Sequence, residues 1–540
     1  MGIASFKFPF MSPQTLKQCF PLCDKDGVIK AREEISKILF GEDKRFLLIV
    51  GPCSIHEETS LFDYATRLVK LKEKYSSALY IVMRCYLEKS RTSLGWQGLL
   101  SSPNINENQR LDLGLKKGRE ILVKVANMGL PVAYEVIDPL VVPYFSDVIS
   151  WASIGARSSM SQIYRYLASS FSFPVGFKNT LEGDLTSPCN GILVAKNEHS
   201  FLTIDDDGKA VIACTNGNDK CHLVLRGYKK GDASISNYDK ISLEKTQAVL
   251  EERGLTPAIL IDSSHDNAHK IPFMQEKAFL EIMKMKYEGE DKSISDMIKG
   301  AMIESFINEG SISPSEYVKT KEYGVSITDP CISLEKTESL LDLVYKRYFD
   351  KKKLEKNDGL INKNEKVILK SKDWDVKKTK KINIKKLEIY TDGACSGNPG
   401  KGGWAFVIVE KNNVICEKSG FDEASTNNRM EMQDVIEALK EIHRRGFNDL
   451  DLTIYTDSSY VKNGITEWIK KWKANGWRSS SNSPVKNQDL WLSLDYLSSS
   501  LVLSWKWVKG HAGNKFNEMC DNMATYRAQS GENAQKHLSF

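Results

Sequence analysis

The stretch FLLIVGPCSIHEETSLFDYATRLVKLKEKYSSALYIVM (46–83) decides how the first half of the chain is read. It opens and closes on short apolar runs, FLLIVG (46–51) and LYIVM (79–83). Between them SLFDYATRLVKLKEKY (60–75) repeats apolar residues at helical spacing. An apolar strand, an amphipathic helix and a second such strand make a parallel β-α-β unit with both sheet faces covered. Six more runs follow: PVAYEV (131–136), WASIGA (151–156), PVGF (174–177), HLVLRG (222–227), AILID (258–262) and AMIESF (301–306). Helix-like stretches at 108–129 and 241–254 lie between them. Eight such units in roughly 300 residues is the count of a (β/α)8 barrel. A doubly wound open sheet shows the same alternation, and strand counting leaves the two open.

Outward from this block the chain changes style twice. Residues 351–386 are rich in Lys, Asn and Asp with little apolar periodicity, and read as a linker. Residues 351–387 hold 14 Lys against 5 acids, a net of +9, which leaves −4 for the rest of a chain whose total is +5. Such a run implies an interaction surface or a solvated tether. From 387 to 530, KLEIYTDGA, GGWAFVIVE and NVICEKSG read as antiparallel strands, NRMEMQDVIEALKEIHRR (428–445) as an amphipathic helix, and DLTIYTDSS and LVLSWKWVKG as later strands. The expected division is therefore 1–350, a linker over 351–386, a second α/β domain over 387–530 and a tail over 531–540.

With 41% hydrophobic and 27% charged residues, the 540-residue chain has the balance of an ordinary folded protein. No apolar run approaches the ~20 residues that span a bilayer. The start, MGIASFKFPFMSPQ, lacks the apolar core of a secretory signal. Eleven cysteines without a CxxC repeat argue against a disulfide framework, and a cytoplasmic location with no membrane partner is expected.

In the second domain Asp392 and Asp457 each end an apolar strand, Glu431 lies between Met430 and Met432 on the long helix, and Asp521 sits in EMCDNMA. Singly, each acid reads best as a cap or an ion-pair partner. Together, acids at strand ends and on inward helix faces are unfavourable unless paired or holding a cation. Oxygen-only ligands point to Mg2+ or Mn2+, and two such ions beside a phosphodiester give two-metal hydrolysis. The motifs TDGACSGNPG, NNRMEM, YTDSSYV and VKGHAGNKFNEMCDNMA occur in order and closely resemble type 1 ribonuclease H over 387–530. The resemblance implies a mixed-sheet α/β domain that cuts the RNA of an RNA–DNA hybrid. It makes Asp392, Glu431, Asp457 and Asp521 the ligands of two ions and His511 an aid to proton transfer. It also gives Asn398, Thr426, Asn427 and Asn428 to sugar hydroxyls and phosphates. In EWIKKWKANGWRSSSNSPVK (467–486), basic residues alternate with aromatic ones, which suits a phosphate backbone. Trp468 is expected in the core, and Trp472 and Trp477 nearer the hybrid. Ser459 departs from the family, where a glutamine is common after the third acid.

In a barrel the chemistry gathers at the C-terminal strand ends. Those ends carry Cys53, Arg84, Glu135, Arg157, Lys178, Arg226, His265 and Glu304. Clustered cations call for phosphate or carboxylate. Cys53, His265, Glu304 and the later Asp329 form a mixed S/N/O set suited to one ion of Mn2+, Fe2+, Co2+ or Zn2+. A Cys–His nucleophilic pair is the competing reading. The segments LIVGPCSIH, IVMRCYLEKSRTSLGWQG, IGARSSMSQ, PVGFKN, CHLVLRG, LIDSSH, MIES and YGVSITDPC strongly resemble class I 3-deoxy-D-arabino-heptulosonate 7-phosphate (DAHP) synthase. That family joins phosphoenolpyruvate to erythrose 4-phosphate at the head of the shikimate pathway. The resemblance implies that Arg84, Lys89, Arg157, Lys178 and Arg226 bind phosphoenolpyruvate, with Lys89 also catalytic, and that Arg91 and Thr92 hold erythrose 4-phosphate. It implies the metal on Cys53, His265, Glu304 and Asp329. The family's KPRT reads Lys89-Ser90-Arg91-Thr92 here, Tyr166 replaces a common glutamate, and 181–215 matches poorly. The whole reads as a bifunctional chain, the alternative being a ribonuclease H whose weakly active barrel serves as scaffold or homo-oligomerisation domain.

Overall fold

The computed structural model describes residues 10–530 except 92–94, 106, 232, 351–385, 446, 448–449, 476, 480–482, 484 and 500. The chain divides into two compact units, Met1–Lys363 and Asn364–Phe540. The expected linker lies outside the described residues except for Lys386, which begins a strand, and the expected tail 531–540 lies outside them too.

The first unit is built on β1 (Phe46–Gly51), β2 (Leu79–Arg84), β3 (Val132–Val136), β4 (Ile149–Ile154) and β5 (Val175–Lys178). An antiparallel hairpin, β6 (His199–Ile204) and β7 (Ala210–Thr215), precedes β8 (Cys221–Leu225). A smaller one, β9 (Tyr228–Lys230) and β10 (Ala233–Ile235), follows it. Then come β11 (Ile259–Asp262), β12 (Ile298–Phe306) and the short β13 (Ile332–Ser333). Strands β1, β2, β3, β4, β5, β8, β11 and β12 pair in that order and in parallel, and β12 pairs back to β1 with Leu47 opposite Gly300. The sheet is closed, so the eight apolar runs are the eight staves of a barrel rather than an open sheet. Runs placed at 151–156 and 301–306 are strands at 149–154 and 298–306. After Ile154 the chain turns, with the Ser158 and Ser159 amides donating to the Gly155 carbonyl, so Arg157 sits beyond the strand.

Strand alternation makes two cores. Leu47, Ile49, Val82, Trp151, Leu260 and Met302 meet inside the barrel, while Leu48, Val50, Ile81 and Met83 pack outward on the helices. The helix Lys25–Phe40 adds Ile35, Ile38 and Leu39 to the inner cluster and plugs the N-terminal end of the barrel. Gly41, in the left-handed conformation at φ 86°, ends that helix and lets the chain turn into β1.

The second unit is a five-stranded mixed sheet. Its strands are β14 (Lys386–Gly397), β15 (Gly400–Glu410), β16 (Asn413–Ser425), β17 (Asp451–Thr456) and β18 (Leu503–Trp507). Their order is β16-β15-β14-β17-β18, antiparallel through the first three and parallel from β14 onward. Ile389, Phe406 and Ile408 face the helix Asn427–Arg444 on one side. Tyr390, Ala405 and Val407 face the helix Lys515–Ser530 on the other. Among the described residues no helix is long and apolar enough to cross a membrane.

Leu39→Ala should test the plug. Deleting a fully buried leucine from the inner cluster is expected to cost about 2–5 kcal/mol, read from chemical denaturation of the first unit.

Candidate active sites

The barrel site forms where β1, β2, β11 and β12 end. Arg84, the last residue of β2, is 1% exposed. Its Nη2 lies 2.9 Å from Glu304 Oε1 and donates to the Cys53 carbonyl at 3.2 Å, and its Nε donates to the Pro52 carbonyl at 3.1 Å. Its Nη1 is buried and has no hydrogen-bond partner among the described residues. A buried guanidinium with one arm unsatisfied is built to receive an anion.

Cys53, Glu304 and Asp329 bring one donor atom each within 4.8 Å of one another. His265 stands beside them, with Nε2 3.8 Å from Glu304 Oε1. The Lys89 ammonium reaches Cys53 Sγ at 2.9 Å and Asp329 Oδ2 at 2.7 Å. Burial, with Glu304 and Asp329 adding, pushes the Cys53 thiol up to about 11, while Lys89 and Arg84 oppose it. Burial also disfavours ionised Asp329, but Lys89 and His265 outweigh it and hold that carboxyl well below the usual range. A thiol this basic makes a poor free nucleophile, and its charged neighbours are Glu304, Lys89, Asp329 and Arg84. The donor set of one sulfur, one imidazole and two carboxylates fits a divalent transition ion.

The sequence reading missed Asp262. It ends β11, is fully buried, and lies 3.0 Å from His265 Nδ1 and 3.5 Å from Lys178 Nζ. Its carboxyl is held well below the ordinary range, burial opposing and His265 and Lys178 prevailing. Nδ1 faces both Asp262 Oδ2 and, at 2.7 Å, Ser264 Oγ, which leaves Nε2 on the Glu304 side. A carboxylate three residues before a candidate ligand histidine was the available signal.

Other cations are paired in place. Lys178 lies 3.5 Å from Glu135, and Arg226 Nη1 lies 2.7 Å from Asp266 Oδ2. Arg91 is exposed, its Nε donating to the Trp96 carbonyl at 3.0 Å, and Arg157 is exposed beyond β4. Thr92 lies outside the described residues.

The second site is a knot of like charges. Asp392 projects from β14 and Glu431 from the helix packed on it, at the point where Gly393 lets the Glu431 amide approach closely. Asp457 directly follows β17, and Asp521 lies on the last helix. Burial, then Asp457 and Asp521 and lastly Glu431, push the Asp392 carboxyl up to about 8. Burial and Asp457 also raise Glu431, against hydrogen bonds from Ser458 and Asn427. Asp457 is raised by burial and by Asp521. Divalent cations are the natural answer to this repulsion. The four acids do not close into a cluster as tight as the barrel's.

Asn427 Nδ2 donates to Glu431 Oε1 at 2.8 Å, and the Asn427 amide to Asn398 Oδ1 at 3.4 Å. Thr426 accepts the Arg429 and Met430 amides through its carbonyl, and Asn428 is exposed. His511 is 79% exposed, with Nδ1 3.3 Å from Asp521 Oδ2. Unforeseen are Asn517, whose Nδ2 donates to Asp392 Oδ2 at 3.4 Å, and Asp434, fully buried one helical turn after Glu431. Burial, then Asp392 and Glu431, push Asp434 well up.

Trp468, Trp472 and Trp477 are all half-buried. Trp472 and Trp477 both pack against the core, Trp472 with its ring 5.4 Å from that of Trp491. Trp468, expected inside, is half-exposed between Tyr460 and Trp472. The helical turn at 464–468 is wound wider than an α-helix, which shifts the face that each following residue presents.

Comparison with known proteins accords with both sites. The DAHP synthetase I family matches residues 24–342 and RNase H matches 384–529. The chain is 38% identical over 333 residues to the Tyr-sensitive phospho-2-dehydro-3-deoxyheptonate aldolase of Escherichia coli, covering 61% of this chain and 91% of that one. It is 40% identical over 344 residues to the phenylalanine-inhibited enzyme of Saccharomyces cerevisiae, covering 62% and 90%. A solved phospho-2-dehydro-3-deoxyheptonate aldolase from Francisella tularensis superposes with a TM-score of 0.60 at 34% identity, covering 64% of this chain and 98% of that one.

Two outcomes are expected. Asp262→Asn should weaken metal binding by about 10–100-fold by isothermal titration. Without divalent cations the second unit should lose stability as pH rises from about 4 to 8. Asp392, raised to about 8 when folded, binds a proton there that the unfolded chain has released. The share of the slope due to Asp392 is on the order of 1.4 kcal/mol per pH unit at most, and Asp392→Asn should reduce the slope in thermal melts across pH. The chain belongs to the DAHP synthetase I family and carries an RNase H domain after the barrel.

Proposed function

We propose that the chain is a bifunctional cytoplasmic enzyme. The barrel condenses phosphoenolpyruvate with erythrose 4-phosphate to DAHP and phosphate, the entry to aromatic amino-acid biosynthesis. The second unit hydrolyses the RNA strand of RNA–DNA hybrids. The observation that carries the first reading is the Cys53–Glu304–Asp329 cluster set against Arg84, whose buried Nη1 awaits an acceptor.

In the barrel, Arg84, Lys89, Arg157, Lys178 and Arg226 bind the phosphate and carboxylate of phosphoenolpyruvate, and Arg91 and Thr92 hold the aldose phosphate. Cys53, His265, Glu304 and Asp329 hold one Mn2+, Fe2+, Co2+ or Zn2+, which supplies Lewis-acid polarisation when bound. The buried cations orient both anions and stabilise charge as it develops, so that most of the rate comes from positioning and electrostatics. In the second unit Asp392, Glu431, Asp457 and Asp521 hold two Mg2+ or Mn2+, the source of an activated water in such sites. His511 moves a proton at the exposed rim. Asn398, Thr426, Asn427 and Asn428 bind the hybrid, where the 2′-OH marks the RNA strand. Asp392's carboxyl, pushed up to about 8 by burial and then by its acidic neighbours, supports this reading.

Phosphate release from phosphoenolpyruvate plus erythrose 4-phosphate with Mn2+ tests the first activity, and cleavage of a labelled hybrid with Mg2+ tests the second. Cys53→Ala should abolish aldose-dependent release and spare hybrid cleavage, and Asp392→Asn should do the reverse by at least a hundredfold. Loss of both activities in either variant would mean that the units do not act independently.

A further inference from the structure

Lys89 stands where a metal ion would compete with it. Its ammonium is 2.9 Å from Cys53 Sγ and 2.7 Å from Asp329 Oδ2, two of the three donors that gather within 4.8 Å. The contact is built in. The Lys89 amide donates to the Gln97 carbonyl at 2.9 Å, and Glu88 pairs with Gly98, so the backbone aims this side chain at the cluster. Lys178 has Glu135 and Asp262, and Arg226 has Asp266, whereas Arg84 shares the candidate ligand Glu304. Lys89 has only candidate metal ligands as charged partners among its described ion pairs.

We propose that Lys89 is a resident competitor for the divalent ion: its fixed positive charge shares Cys53 Sγ and Asp329 Oδ2 with the ion and weakens the ion's binding. The inference rests on the metal site proposed above. An ion bonded to Asp329 at the usual ~2 Å lies within about 5 Å of that ammonium, where like charges repel strongly in a buried site. Lys89 also favours the thiolate that a metal needs, which acts in the opposite sense. A bound divalent ion deprotonates a coordinating thiol by itself, so the repulsion governs the balance. The role of Lys89 toward the metal is then to keep it exchangeable, while its role toward the anionic reactant is attraction.

Titration of the chelator-treated full-length chain with Co2+, without reactants, tests this through the thiolate-to-cobalt absorption band. Lys89→Met is expected to bind Co2+ at least tenfold more tightly than wild type. Lys89→Arg, which keeps the charge, should stay within about threefold of wild type. Lys89→Gln, neutral and polar, serves should Lys89→Met not fold, with circular dichroism as the check. Equal or weaker Co2+ binding in a folded neutral variant overturns the inference alone. Absence of the band in wild type overturns the metal site, and the inference with it.

Discussion

A charge taken out of water must find an opposite charge, and that requirement organises the barrel mouth. The 2.9 Å contact between Arg84 and Glu304 joins the end of β2 to β12 across β1, with both side chains almost wholly buried. Neither is tolerable there alone. Around it the pairs repeat: Lys89 with Asp329, Lys178 with Glu135 and Asp262, and Arg226 with Asp266. The arrangement keeps carboxylates ionised despite burial, as at Glu135 and Asp329, so they remain fit to hold a cation. A mouth assembled this way is preorganised, because no group has to find its partner when a reactant arrives.

The second unit solves the opposite problem. Asp392, Glu431 and Asp457 are surrounded by acids with little cationic relief, and their carboxyls are pushed up instead of down. The backbone forces them together. Asp392 is fixed by β14, Asp457 by the turn that follows the parallel neighbour β17, and Glu431 by a helix that presses on Gly393. The fold holds these acids together against burial and mutual repulsion. One chain thus uses two electrostatic strategies, charge pairing in the barrel and charge crowding in the sheet.

Much of this was legible in the sequence because apolar periodicity reports burial directly. Runs such as FLLIVG and AILID became barrel strands since nothing but a covered parallel sheet accommodates them. Strand-end acids and bases were visible for the same reason, being polar residues at the edge of apolar runs. Pairings across the fold were not legible. Asp262 looked like the last residue of a strand until His265, three residues on, turned back onto it. Asp434 and Asn517 escaped notice because their importance lies in how two helices approach β14.

The helix Lys25–Phe40 carries a consequence for traffic. With Ile35, Ile38 and Leu39 covering one end and Trp151 and Met302 filling the interior, the charged groups of the barrel gather at the opposite end. On the proposed reading, the reactants are met at two depths, by the buried Arg84 and Lys178 and by the exposed Arg91 and Arg157.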